Sequence, residues 1–461
     1  MSEQKAIRKK SLDLTQGSAL RLIIQFALPI LLSQFLQNLY NSADSIIAGN
    51  YVGVTALAAV SSSADVAHLL IGFFAGVSSG AGVIFARYFG AKDHQNLHTA
   101  IHTTLCFAMI LGLVLAAAGI ILTPFLLRVV ACPADVWAEA ALYLRIYFVG
   151  VLFTAMYNVA AGVLRAVGNS RDPFIYLAIT CVTNIILDLI AVAWLGMGVA
   201  GLALATIGAQ LLSVVLILRD MLRTNDVYKV NPRELRIDKA ILYKVLDLSL
   251  PAGVQFAIIS ISNLFVQRYV NMFGSAAMAG IGAAKKIDRY VGIISNSIGS
   301  SSATFISQNL GAQKDDRAFR GLRICLLICG GAVLAMGVPT YIFAPVVIRV
   351  FTTNLEAMAY GVAMVRVMMP LFYLQSLSQV FTNAVRGFGK ARAVMVLSLL
   401  GMVGCRQLFL NISMRINFTV TNVFYAYPVG WGCGSLFIII YFLIYIRPYY
   451  RGKKDSHDGI G

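Results

Sequence analysis

Long apolar stretches recur along the chain, each near the ~20 residues that a helix needs to cross a bilayer. Short polar segments separate them and give twelve predicted spans. The spans of the first half are predicted at 20–47, 55–84, 96–125, 137–160, 174–195 and 199–221. The spans of the second half are predicted at 243–271, 277–305, 318–344, 357–381, 393–414 and 422–446. The pattern is that of an all-α integral membrane protein.

The pattern also repeats once, at a fixed offset of 221 residues. Gly53 recurs as Gly274 and Arg165 recurs as Arg386. Six spans in each half is an even number, so the second half enters the membrane from the same side as the first and the repeats are parallel. We therefore predict two six-helix lobes around a central cleft. Their predicted bounds are 1–222 for the first lobe, 223–242 for a cytoplasmic linker and 243–461 for the second lobe.

Composition and charge agree with a membrane protein. The chain is 59% hydrophobic and 12% charged, against about 25% charged for a soluble globular protein. The net charge of +17 comes mostly from Lys and Arg at the termini and in or beside the loops after even-numbered spans. This positive-inside pattern predicts cytoplasmic termini for a multi-pass protein of the inner (plasma) membrane. It identifies the lipid bilayer, and not nucleic acid, as the partner of the basic segments.

A polar stripe runs along the first span. Gln34, Gln37, Asn41 and Asp44 share one helical face. A carboxylate at membrane depth is costly, so each one is a functional candidate by default. The other carboxylates predicted at this depth are Asp65, Asp188 and Asp288.

Spans 5 and 6 carry groups that complement Asp44. Asn184 lies one turn before Asp188, and Thr206 adds a hydroxyl. Carboxylate, amide and hydroxyl oxygens can bind a hard cation such as Na⁺, and a carboxyl group can instead bind a proton. The alternative is a structural role, with each Asp held by hydrogen bonds between helices. Na⁺ at Asp44 and Asp188 is the only metal that we expect, H⁺ or Na⁺ is the coupling ion, and no other cofactor is expected.

The second half carries an unusual charged run in span 8, from Lys285 to Arg289. It includes Lys286 and Asp288, and the repeat places Lys286 opposite Asp65. Two interpretations remain open. The run either lines the cleft and binds or gates substrate, or lies near the membrane interface, where the charges neutralise each other or snorkel.

The histidines do not indicate an enzyme. His94, His98 and His102 share i, i+4 spacing at a predicted cytoplasmic helix start, which favours a solvated helix end over a metal site. The spans contain no pattern of metal-ligating residues or of a catalytic nucleophile, and the chain has no P-loop. The chain is therefore predicted to be a transporter.

Several segments resemble the multidrug and toxic compound extrusion (MATE) family over nearly the whole chain. The matching features are Pro29, the run from Tyr40 to Asp44, the segment 165–173 and its partner 386–392. The resemblance implies a monomeric antiporter that exports organic cations, drugs or other toxic compounds in exchange for H⁺ or Na⁺ by rocking of two lobes. A related flippase or exporter of lipid-linked saccharides or polysaccharides is the alternative.

The resemblance also implies functional residues. The family's cation site maps onto Asp44, Asn184, Asp188 and Thr206, with Tyr143 and Asn158 nearby. One branch of the family carries a Glu in span 7, in the region where this chain has Gln255. The coupling site is therefore expected in the first half. The full set of expected cleft or substrate residues is Gln37, Asn41, Tyr143, Asn158, Asp65, Lys286, Asp288, Arg289 and Gln255.

Overall fold

The computed structural model describes residues 11–129, 132–450 and 452. Some side chains of α2, the helix that carries Asp65, are not among those that the structure describes. They are the side chains at 54–58, 61, 62, 64, 65, 67 and 68. The N-terminal and C-terminal ends, which the sequence predicts to be cytoplasmic, fall largely outside it as well. The described residues form helices and turns, with no strand among them.

The chain divides into two compact units, Met1–Leu246 and Asp247–Gly461. The helices of the first unit are α1 Ala19–Ile47, α2 Val54–Gly90, α3 His94–Val129, α4 Trp137–Ala166, α5 Arg171–Leu189 and α6 Gly198–Arg223. The next helix, α7 Lys239–Asn271, begins in the first unit and continues into the second.

The second unit repeats this order. Its helices are α8 Gly274–Gly311, α9 Asp315–Ile342, the short α10 Ala344–Arg349, α11 Leu355–Gly387, α12 Ala391–Leu399, α13 Arg406–Ile416 and α14 Val420–Tyr441. A π-helical turn at Leu400–Cys405 joins α12 to α13, so the two form one continuous span.

The predicted repeat is visible in the helix boundaries. Corresponding helices begin or end 221 residues apart: α2 and α8 end at Gly90 and Gly311, α3 and α9 begin at His94 and Asp315, and α4 and α11 end at Ala166 and Gly387. The packing repeats too. In the first unit α4 packs against α2, α3 and α6, and in the second its counterpart α11 packs against α8, α9 and α14.

The described residues include 11 helices long and apolar enough to cross a membrane. The remaining long helix is α8, which carries the charged run and a serine-rich second half. Ser295, Ser297, Ser301 and Ser302 are buried inside the unit, and the Ser297 hydroxyl donates to the Ile293 carbonyl at 2.7 Å. These serines of α8 therefore face protein instead of lipid. The all-helical fold with two repeats agrees with the expectation from the sequence.

The outward surfaces of the helices are apolar. On α3, the exposed residues include Leu113, Val114 and Ile121, of which Ile121 is 75% exposed. Such a surface suits hydrocarbon, where helices satisfy their own backbone polar groups.

The segment between α6 and α7, which belongs to the first unit, folds back onto α3. His102 Nε2 accepts the backbone N–H of Asn231 at 3.0 Å, and His102 Nδ1 donates to the His98 carbonyl at 2.8 Å. Thr103 Oγ1 accepts the N–H of Asp238 at 3.1 Å. The expected solvated helix end is therefore wrong for His102, which is 1% exposed because this segment covers it.

Candidate functional site

The carboxyl groups predicted for the first half meet in the first unit. Asp44 lies near the end of α1 and Asp188 near the end of α5, and these two helices pack together. The two carboxyl groups lie within hydrogen-bonding reach of each other. Two ionised carboxylates only accept hydrogen bonds, so this contact becomes a hydrogen bond only when one of them carries a proton. The interaction between the two carboxyl groups therefore changes from repulsion to a hydrogen bond when one of them binds a proton.

Both carboxylates lie next to a π-helical turn. One such turn, Ala48–Val52, follows α1 four residues after Asp44, and another, Ile190–Trp194, follows α5 two residues after Asp188. A π-helical turn widens the helix and re-aims nearby side chains, and such turns are frequent at functional sites. No pattern in the sequence revealed them.

Several polar atoms of Asp44, Asp188 and the neighbouring Asn184 have no hydrogen-bond donor or acceptor within the part of the chain that the structure describes. They are Asp44 Oδ1, both carboxylate oxygens of Asp188, and both Oδ1 and Nδ2 of Asn184. Asn184 is 1% exposed and Asp188 is fully buried. A buried polar atom without a partner is unfavourable. A proton or a Na⁺ ion bound by these oxygens would supply the missing interaction.

Hydroxyl groups surround the carboxyl pair. Tyr143 on α4 lies near both Asp44 and Asp188, and its hydroxyl hydrogen-bonds to Thr206 on α6. The Thr206 hydroxyl in turn donates to the Leu202 carbonyl at 3.0 Å. Asp44, Asp188, Tyr143 and Thr206, predicted from different spans, therefore lie in one cluster.

Two residues of this cluster escaped the sequence analysis. Tyr147 stacks on Tyr143 with ring centroids 6.1 Å apart, lies near Asp44, and hydrogen-bonds to Gln210. The signal was present, because Tyr147 is four residues after Tyr143 and Gln210 is four residues after Thr206. Each pair therefore shares one helical face.

Other predicted residues of the first unit lie outside the cluster or outside the description. Gln37 and Asn41 lie on the same helix as Asp44 and are half-buried. The Asn158 side chain donates to the Thr154 carbonyl at 2.8 Å, and its own backbone carbonyl accepts from Ser78. The Asp65 side chain is among those that the structure does not describe.

The predicted residues of the second unit are dispersed. Gln255 on α7 accepts a hydrogen bond from the buried Arg386 at 2.9 Å. Lys286 is exposed, with its ammonium 5.6 Å from the Phe351 ring centroid. Arg289 is exposed and Asp288 half-buried on the same helix. The charged run therefore points in several directions.

Comparison with known proteins identifies the family to which these lobes belong. The MatE family model matches the chain twice, over residues 29–190 and 251–410. The chain belongs to the MatE family. The two matches begin 222 residues apart and cover both repeats, with the Asp44, Asn184 and Asp188 positions inside the first match.

Individual relatives of this MatE protein span nearly its whole length. A probable multidrug resistance protein, YoeA of Bacillus subtilis (strain 168), is 30% identical over 441 residues, which is 93% of this chain and 94% of YoeA. The probable multidrug resistance protein YpnP of the same organism is 27% identical over 443 residues, covering 93% of this chain and 99% of YpnP.

The fold matches solved MATE structures. A crystal structure of MATE in the bent conformation superposes with a TM-score of 0.89 at 20% identity, covering 95% of this chain and 98% of that one. The expected MATE resemblance is confirmed. The protein is a multi-pass membrane protein of a transporter family.

Proposed function

We propose that this protein is a secondary antiporter that exports small amphipathic or cationic molecules, drugs among them, in exchange for H⁺ or Na⁺. The observation that carries the proposal is the pair of half-buried Asp44 and buried Asp188, in which Asp44 Oδ1 and both carboxylate oxygens of Asp188 lack partners among the described residues. The multidrug resistance names of relatives that cover nearly the whole chain support the substrate class.

The pair supports coupling because its two states differ. When both carboxylates are ionised and the site is empty, like charges repel in a poorly hydrated place. Binding of H⁺ or Na⁺ removes that repulsion and draws α1 and α5 together. Export then requires that substrate and ion favour different arrangements, which we assign to rocking of the two lobes between inward-open and outward-open states.

The surrounding residues suit a broad substrate range. Tyr143 and Tyr147 provide stacked aromatic faces beside the carboxyl pair, and aromatic rings attract organic cations. Outside this cluster, we assign Gln37 and Asn41 on α1 and Asn158 on α4 as further polar contacts for the substrate. We assign the termini to the cytoplasm and the protein to the plasma membrane from its Lys and Arg distribution, and we propose a monomer.

The test is transport in proteoliposomes loaded with a fluorescent organic cation such as ethidium. An imposed pH gradient and an imposed Na⁺ gradient are applied separately to the unmodified protein, to Asp44→Asn and to Asp135→Asn. Asp135 is exposed in the loop before α4 and serves as the matched carboxylate control. We expect one gradient to drive efflux, Asp44→Asn to abolish it, and Asp135→Asn to leave it unchanged.

Full gradient-driven efflux by Asp44→Asn would remove the carboxyl pair from the mechanism. No efflux under either gradient by folded, unmodified protein would contradict the export of small cations. It would favour a lipid-linked saccharide or polysaccharide as the substrate, and the accumulation of such a lipid on the cytoplasmic face after gene deletion would then be the next measurement.

A further inference from the structure

A second charged group lies buried in the other unit, and it is a cation. Arg406 begins α13, directly after the π-helical turn Leu400–Cys405, and is 4% exposed. Its guanidinium donates to Ser262 Oγ at 2.6 Å and to Asn263 Oδ1 at 2.9 Å. Its Nε has no hydrogen-bond acceptor in the described chain. Every hydrogen-bond partner that the structure shows for this cation is therefore a neutral side chain.

A lysine approaches the same place from α8. The Lys285 ammonium lies 5.9 Å from the centroid of the Tyr427 ring, and the Arg406 guanidinium lies 5.8 Å from the same centroid. Lys285 donates to Gln267 Oε1 at 2.8 Å, so its hydrogen bond is also to a neutral group. Four helices, α7, α8, α13 and α14, thus bring two cations to one aromatic ring.

One acidic group on α8, Asp288, partly balances these charges. Asp288 follows Lys285 by one turn on α8 and attracts it. Neither Lys285 nor Arg406 is in an ion pair within the part of the chain that the structure describes. The cluster therefore holds two cations and one carboxylate, and its net charge is positive.

The internal repeat allows the basic cluster of the second unit to be compared with the carboxyl pair of the first. Apart from α8, the cluster uses the elements of the second unit that correspond to those around the carboxyl pair in the first, because α7, the continuous α12–α13 span and α14 correspond to α1, α5 and α6. The positions that correspond at the 221-residue offset are Asp44 and Phe265, Asp188 and Phe409, Ile185 and Arg406, and Thr206 and Tyr427. One repeat has an acidic site where the other has a basic one.

We propose that Arg406 and Lys285, beside the Tyr427 ring, bind an anionic oxygen group, either a carboxylate or a phosphate. A buried cation is costly unless a counter-charge accompanies it. The planar guanidinium is suited to such groups because it can donate two parallel hydrogen bonds to one carboxylate or phosphate. The group can belong to a small organic anion or to a lipid headgroup. The proposal goes beyond cation export and does not depend on the carboxyl pair of the first unit.

The protein contains a natural reporter of this site. Trp431 lies one turn after Tyr427 on α14, with ring centroids 6.3 Å apart. The chain has three tryptophans, so Trp137→Phe combined with Trp194→Phe leaves Trp431 as the single emitter. The full chain carrying these two changes is placed in nanodiscs of phosphatidylcholine, and its emission is titrated with benzoate and with benzamide, which has the same shape without the charge.

We expect benzoate to change the emission saturably and benzamide to have no effect. Arg406→Gln should weaken benzoate binding by about tenfold or more, because it removes a charged hydrogen-bond donor. Lys285→Gln should weaken it several-fold. Arg406→Lys keeps the charge without the planar fork and should lie between. Arg415→Gln changes an exposed arginine on the same helix and should bind like the parent.

Nanodiscs that contain phosphatidylglycerol distinguish the source of the anion. If the headgroup occupies the site, this lipid changes the emission in the absence of benzoate and competes with benzoate in the parent but not in Arg406→Gln. If a soluble anion is the ligand, benzoate binds equally well in both lipids.

The proposal is overturned if neither benzoate nor phosphatidylglycerol changes the emission of the parent. It is also overturned if both act equally on the parent, Arg406→Lys and Lys285→Gln. These last two variants retain a cation in the cluster, so the test does not depend on whether Arg406→Gln folds. Gradient-driven export of ethidium is measured on the same variants, and its persistence would leave the function proposed above intact.

Discussion

The carboxyl groups of Asp44 and Asp188 hydrogen-bond to each other only if they share a proton or one of them is neutral. They come from α1 and α5, which are separated by more than a hundred residues but pack against each other in the first unit. Because they lie close together, the two carboxylates repel each other when neither a proton nor Na⁺ is bound. Function and stability should therefore oppose each other here, as they often do at active sites.

Replacing one carboxylate should stabilise the protein and stop coupled transport. In Asp188→Asn the introduced amide can donate to Asp44, and the like-charge repulsion disappears. We expect a gain of about 1 kcal/mol, which is roughly 2–4 °C in Tm for a unit of this size, together with loss of gradient-driven efflux. Thermal unfolding in detergent at neutral pH, followed by the proteoliposome assay, measures both. A lower Tm would indicate that Asp188 serves mainly to hold the helices together.

The cap of α3 should make stability depend on acid pH. Asp93 precedes this helix, and its Oδ1 accepts the backbone N–H of Asn96 at 3.1 Å while its Oδ2 accepts from the Asn96 side chain. These hydrogen bonds hold the pKa of Asp93 below its usual value. Because the folded pKa is the lower one, the carboxylate stabilises the folded protein above its unfolded pKa of about 3.9. That contribution is lost as the pH falls through the folded pKa.

Two variants separate the charge of Asp93 from its capping role. Asp93→Ala should lose about 1 kcal/mol at pH 7, since a capping side chain is removed. Asp93→Asn keeps a capping oxygen, so it should match the parent more closely at pH 7 and show a smaller fall in Tm on acidification. Tm measured from pH 7 down to pH 3 tests this, and identical pH profiles for all three proteins would contradict it.

The contact between His102 and Asn231 should hold the segment between α6 and α7 against α3. His102→Ala leaves the N–H of Asn231 without its acceptor, which we expect to cost about 1–3 kcal/mol. Hydrogen exchange at residues 231–238 should then become faster. His94→Ala, at an exposed position two turns earlier on α3, is the control and should leave exchange unchanged. Unchanged exchange in His102→Ala would show that other contacts hold this segment.

How well the sequence predicts a structural feature depends on how far apart in the sequence the residues that form it lie. Helix positions and the repeat follow from hydropathy and from residue identities at a fixed offset, and both were readable from the chain. The meeting of Asp44 and Asp188 could also be predicted, because a charged residue at membrane depth is costly and generally faces the interior of the helix bundle. The Tyr147–Gln210 contact was recoverable in principle from four-residue spacing.

Other features depend on packing that no local pattern encodes. No local sequence pattern marks the π-helical turns beside Asp44, Asp188 and Arg406. Arg406 lies inside a predicted span, but its neutral partners come from α7, more than a hundred residues away. His102 looked solvated because the segment that covers it is distant in sequence. These side chains acquire their surroundings only in the folded unit.

The close approach of α8 to α11 in the second unit provides a test of packing that involves no charged side chain. At Gly280 on α8, an added Cβ would lie 2.0 Å from the backbone carbonyl oxygen of Ala357 on α11, whereas at Gly282 it would meet nothing within 4 Å. Small residues let membrane helices approach this closely. Gly280→Ala should therefore push α8 away from α11 and cost about 1–3 kcal/mol.

Gly282→Ala should be neutral or stabilise by up to about 1 kcal/mol, since alanine favours a helix more than glycine does. The two variants carry the same chemical change two residues apart on one helix, so propensity, expression and detergent effects are matched. The Tm of Gly280→Ala is expected to fall below that of the parent, and the Tm of Gly282→Ala to equal or exceed it. Equal shifts in both would mean that α8 and α11 can separate slightly without loss, and that their close approach contributes little to the stability of this unit.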